Sequence, residues 1–156
     1  MVEMTWEGVK ESAERGDSVL FPIAVVEAHG PHMDLSPDIY IAQMFCRFLK
    51  KNLIGKNIKT VIAPPYYWGI NSAKVKYPGS FTVRPETFKA VLFDIFSSLK
   101  DWGFSNVFIV NSHGDQKHTK VIEQSIEEVQ KNLDMKVYFM SDLNIPIDTK
   151  PVFPPQ

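Results

Sequence analysis

Four short apolar runs punctuate this chain: SVLFPIAVVE (18–27), IKTVIAPP (58–65), NVFIVN (106–111) and KVYFM (136–140). The first is continuously apolar, as expected of a strand buried on both faces of a sheet, although Pro22 inside it removes a ladder donor. Between the runs the apolar period becomes helical. Segment 37–53 carries Ile41, Met44, Phe45, Phe48 and Leu49 on one stripe, with Ser36 at the N-cap and Pro37 at the first helical position. Segment 85–102 repeats the period through Phe88, Val91, Leu92, Ile95, Leu99 and Trp102, with Gly103 as its C-terminal cap. Segment 117–133 does so through Ile122, Ile126, Val129 and Leu133. Strands alternating with helices predict an α/β fold, a mainly parallel β-sheet flanked by helices with right-handed crossovers. A length of 156 residues with 44% hydrophobic content is enough for one core, so residues 1–156 are expected to form a single domain, with 145–156 a proline-rich extended tail.

In an open parallel sheet, ligands bind beyond the carboxyl ends of the strands. The first strand runs into EAHG and the third into NSHGD, so both loops are predicted at the same sheet edge. All 4 histidines lie in these stretches or within three residues after them: His29 and His32 at one, His113 and His118 at the other. Glu27 and His29 are two residues apart, on one side of an extended backbone, and His113 and Asp115 repeat that spacing. Asp38 opens the following helix and leans back over the same edge. Two imidazoles and three carboxylates converging there suit one or two divalent ions, zinc or manganese, with iron a further option. Gly30 and Gly114, each directly after a histidine, let the backbone turn without a Cβ in the way. His32 reads as a hydrogen-bond donor to the metal ligands, a substrate contact, a loop residue or a further ligand, His118 as structural or solvated, and Cys46 as core. The segment YYWGINSAKVKYPGSFTV is long for a structureless loop and reads as functional.

The stretch VVEAHGPHMDLSPD resembles the E-x-H-G-P-H-L-P-x-x-x-D motif of the creatininase (creatinine amidohydrolase) family. IVNSHGDQ is similar to that family's N-G-H-G-x-N or N-G-H-x-E segment, YPGSFTVRPETF to its F-P-G-T-x-x-x-x-P-E-T-L stretch, and WGINSA to its Y-G-x-S-x-E. The four motifs occur in the family's order over roughly residues 18 to 118. The resemblance implies a creatininase-like three-layer sandwich and a binuclear metal-dependent hydrolase acting on C–N bonds of small cyclic or linear amides. It implies Glu27 and His113 on one metal, His29 and Asp115 on the other, and Asp38 bridging them. Asp115 stands where creatininase itself has glutamate. Trp68 and Ser72, in the long aromatic loop, are the candidate substrate contacts.

Family members continue into a segment reading approximately H-A-G-x-x-E-T-S, which supplies a proton-transferring histidine. No histidine follows His118 here, so the sequence reads as a C-terminally shortened member in which His32 is the remaining candidate for that catalytic role. The alternative is an impaired relative that keeps its metal site and serves as a binding or assembly module. The resemblance also implies a homo-oligomer. A net charge of −1 offers no basic face for nucleic acid, and no apolar run approaches the ~18 residues of a membrane span. A single cysteine outside any C-x-x-C pair fits a reduced, cytoplasmic compartment. No G-x-G-x-x-G follows a strand, which argues against a dinucleotide binder. The expected partner is a small-molecule amide.

Overall fold

The structure is a computed structural model and describes residues 1–141. Its strands are β1 (Ser18–Ile23), β2 (Thr60–Ile62), β3 (Asn106–Asn111) and β4 (Lys136–Ser141), and its helices are α1 (Trp6–Glu14), α2 (Pro37–Ile54), α3 (Pro85–Asp101) and α4 (Gln116–Leu133). The strands form one sheet in the order β2-β1-β3-β4, and every neighbouring pair is parallel. This is the α/β arrangement that the alternating periods predict. The proline-rich tail expected at 145–156 lies outside the described residues.

Alternating side chains on the two central strands face opposite layers. Val19, Phe21 and Ile23 of β1, with Val107 and Ile109 of β3, join Ala13 of α1, Phe88, Leu92 and Phe96 of α3, and Ile122 and Val129 of α4 in the larger core. Leu20 and Val110 face the other way, against Cys46 of α2, with Phe45 and Leu49 packed partly onto them. Three layers result: helices α1, α3 and α4, then the sheet, then α2.

Three elements depart from the sequence-based expectation. β1 ends at Ile23 rather than Glu27. Pro64 and Pro65 stop β2 early, and the amides of Ala24 and Val26 donate instead to the Tyr66 and Tyr67 carbonyls, at 2.9 and 3.3 Å. Pro22 stays in the strand opposite Val110, its carbonyl accepting from Tyr66 N–H at 3.0 Å. α2 is rotated away from its large side chains: Asp38, Ala42 and Cys46 are buried, whereas Ile41, Met44 and Phe48 are 49%, 68% and 61% exposed. The four-residue spacing of Asp38, Ala42 and Cys46 puts them on one helix face, so the turn that aims Asp38 inward also sets small residues against the sheet.

The apolar period does not predict α1, whose buried residues are only Ser12 and Ala13; Thr5 caps it by accepting from Gly8 N–H at 3.1 Å. Gly103 closes α3 as expected, at a φ of +100° that only glycine adopts without strain.

Candidate metal centre

The ends of β1 and β3 are adjacent because those strands pair directly, with Ile23 opposite Asn111. The chain leaving β1 brings Glu27 and His29 to this edge, α2 presents Asp38 from its first turn, and the chain leaving β3 brings His113. Asp38 stands between the rings: Oδ1 lies 3.1 Å from His29 Nε2, and Oδ2 lies 2.9 Å from His113 Nδ1. Glu27 Oε1 is 3.7 Å from each of the same two nitrogens. Glu27, His29 and Asp38 each offer a ligand atom within 4.8 Å of the others. Glu27, Asp38 and His113 are buried and His29 is half-buried. The backbone holds the arrangement, with Glu27 N–H donating to the Leu35 carbonyl at 3.2 Å and Ser112 Oγ donating to the Asp38 carbonyl.

The remaining nitrogen of each ring is committed elsewhere. His29 Nδ1 lies 3.0 Å from the Glu27 carbonyl, and His113 Nε2 lies 3.0 Å from the Ile70 carbonyl. Carbonyls only accept, so both of these nitrogens carry a proton, and the nitrogens facing the carboxylates are the ones free to ligate. Burial opposes charge on His113, but the hydrogen bond to Asp38 and the charges of Glu27 and Asp38 outweigh it and raise its pKa. Two carboxylates set between two oriented imidazoles match the donor chemistry of a zinc or manganese site.

His118 is buried behind this cluster, not solvated. Its Nδ1 accepts from Ile70 N–H at 3.1 Å, so its Nε2 carries the proton and donates to Asn111 Oδ1 at 3.1 Å. Asn111 in turn donates from Nδ2 to the His113 carbonyl at 2.8 Å. The ring stacks on Phe88 with centroids 4.8 Å apart. Burial first, then the proximity of His113, lowers the His118 pKa to about 3, so it is neutral at ordinary pH. Gly69 is obligatory beside it, since a Cβ there would collide with the ring and with Val25.

Asp115 takes a different position from the four clustered groups. It is the N-cap of α4: Oδ1 accepts from Lys117 N–H at 2.8 Å and His118 N–H at 3.1 Å, and Oδ2 from Ser72 N–H at 2.7 Å. Partial burial would raise its pKa, but these amides, together with the Ser72 hydroxyl, lower it overall. Ser72 donates its backbone N–H to Asp115 and is exposed; Trp68, 47% exposed, stands edge-on to Phe81 with centroids 5.1 Å apart. His32 is exposed on the loop after His29. Gly30 needs its freedom, at a φ of +92°, but Gly114 does not: it has no positive φ, and a Cβ there would meet nothing within 4 Å. The sequence reading missed Asn111, Ser112 and the Ile70 peptide; Asn111 and Ser112 adjoin His113, which was the available signal.

Beside the cluster lies a cleft of about 450 Å³, lined by Ala28, Gly30, Pro31, Leu35, Lys74, Tyr77 and Pro78. Its far wall is the long loop predicted to be functional.

The sequence model of the creatininase family, described as creatinine amidohydrolase, matches residues 2–153. A mycofactocin precursor peptide peptidase of Mycobacterium ulcerans (strain Agy99) is 29% identical over 101 residues, covering 62% of this chain and 40% of that protein. The creatinine amidohydrolase of Pseudomonas putida is 24% identical over 117 residues, covering 71% and 43%. The chain therefore spans about two fifths of the length of these curated relatives. Among solved structures, a mutant creatininase superposes with a TM-score of 0.83 at 21% identity, covering 96% of this chain and 60% of that one. Solved creatininases include manganese and zinc–zinc forms.

Proposed function

The chain belongs to the creatininase family, and on that footing we propose that it is a metal-dependent amidohydrolase, cleaving a C–N bond of a small cyclic or linear amide with a metal-activated water. The observation that carries this reading is the convergence of Glu27, His29, Asp38 and His113, with both rings anchored so that their free nitrogens face the carboxylates. Glu27 and His113 would hold one ion and His29 with Asp115 the other, Asp38 giving one oxygen to each side. When bound, a divalent ion of the zinc or manganese kind supplies Lewis acidity and a water acidified toward neutrality. Because three amides already occupy the Asp115 oxygens, the Glu27–His113 side is the tighter of the two.

The remaining roles fall to loop residues. Trp68 and Ser72 are assigned to substrate contact. His32, exposed beside the cleft, is assigned to protonate the leaving nitrogen, since an amide anion leaves poorly. The exposed Ile41, Met44 and Phe48 of α2 support assembly as a homo-oligomer, and the lone buried Cys46 supports a cytoplasmic setting. Among the described residues, no helix is long and apolar enough to cross a membrane.

A second reading, a metal-holding binding or assembly module without turnover, draws support from Asp115 acting as a helix cap. Metal-loaded protein assayed against lactams, formamides, creatinine and short peptides separates the two. Turnover that disappears in His29→Ala and Asp38→Asn supports the hydrolase; metal binding without turnover on any of these supports the module.

A further inference from the structure

The cleft beside the metal centre carries one charge. Of its lining residues, Gly30, Pro31, Leu35, Tyr77 and Pro78 are neutral, and Lys74 alone is ionised. Lys74 Nζ donates to the Ala28 carbonyl at 3.2 Å, and Ala28 lies between Glu27 and His29, so the ammonium is held against the backbone that carries two of the clustered side chains. Among the described residues Lys74 forms no ion pair, whereas Lys10, Lys89 and Lys100 each do. An ammonium has three donors, and the Ala28 carbonyl uses one.

The loop fixes Lys74 from both ends. Its own N–H donates to Asn71 Oδ1 at 2.9 Å, Ser72 N–H is bound to Asp115, and Ser80 Oγ accepts from Ala28 N–H at 2.9 Å. A half-buried cation is thereby presented to a space of about 450 Å³, a volume suited to a small ligand, with Leu35, Tyr77 and Pro78 around it.

We propose that Lys74 determines specificity by binding a carboxylate on the substrate, and that the substrate is a linear N-acyl amino acid or short peptide with an apolar side chain beside its free carboxylate. This rests on the hydrolase reading above and narrows it from amides in general. Among the described residues, no other charged residue lines the cleft, so Lys74 is the group there that can pair with a substrate carboxylate.

The test compares equilibrium binding of N-acetyl-L-leucine and the neutral N-acetyl-L-leucinamide to the zinc-loaded full chain, with zinc content measured on the same samples. The carboxylate is expected to bind about 10-fold tighter, a factor typical of one charge-assisted hydrogen bond. Lys74→Gln should abolish the preference and Lys74→Arg retain most of it, with melting temperatures confirming that both variants fold. Equal affinities in the wild type, which needs no variant, overturn the proposal, as does a preference that survives Lys74→Gln. If the chain takes up no zinc but still shows a Lys74-dependent preference, the anion site stands and the hydrolase reading fails. Zinc-loaded protein without the preference does the reverse.

Discussion

The Asp38 carboxylate meets His113 Nδ1 at 2.9 Å although 75 residues separate them in the chain. Its second oxygen serves His29, so removing this one side chain disconnects both rings. Asp38→Asn is therefore expected to cost more zinc affinity than either His29→Ala or His113→Ala. Each histidine variant should itself lose about 10-fold or more, since even outer-shell losses reach that size. Competition titration with a zinc chelator reads all three.

Asp115 has two duties under the proposed assignment, and they separate experimentally. Asp115→Ala is expected to lower stability by about 1 kcal/mol through loss of the α4 cap, and to remove the weaker of two bound ions while leaving the tighter one. Asp115→Asn keeps most of the cap. Urea unfolding with elemental analysis checks both; undiminished metal stoichiometry in Asp115→Ala removes Asp115 from the ligand set.

His118 makes the fold sensitive to acid. Its pKa is about 3 in the folded chain and near the ordinary 6.5 when unfolded. Between these values the unfolded state binds a proton that the folded state does not, so stability falls as pH drops below about 6.5. The slope contributed is at most about 1.4 kcal/mol per pH unit. Metal-free His118→Asn should show a shallower decline in melting temperature between pH 6.5 and 4, although it starts less stable at neutral pH. Parallel curves would reject the assignment.

The outward stripe of α2 predicts assembly. At micromolar concentration the protein should sediment as an oligomer, and the double substitution Met44→Glu, Phe48→Glu should shift it toward monomer without unfolding it. A wild-type monomer under those conditions excludes this face as a self-association surface.

Sequence periodicity located the elements that bury a continuous face. β3 matches its predicted limits because Val107, Ile109 and Val110 are all buried, and α3 departs from its limits by a single residue. Periodicity failed where a buried carboxylate lies on the inward face, as in α2, where Asp38 faces the sheet edge and Ile41, Met44 and Phe48 face outward. It was also silent for α1, which buries only small residues. In the site, residue type and spacing were enough to nominate Glu27, His29, Asp38 and His113. They did not reveal that Asp115 caps α4, because aspartate suits a helix N-terminus as well as it suits a metal. The buried position of His118 was equally hidden, since its partners are a peptide from a distant loop and the Asn111 amide.

Glu27, His29 and Asp38 come from one stretch of the chain, and the direct pairing of β1 with β3 brings His113 to them. No local segment contains all four, so the complete set exists only once those two strands have paired. Under the proposed function, full coordination of an ion would follow that long-range closure. A bound ion should slow unfolding and leave the folding rate nearly unchanged, because its contacts form after the barrier has been crossed. In kinetic terms such an ion would act as a latch on a finished structure, and not as a nucleus for building it.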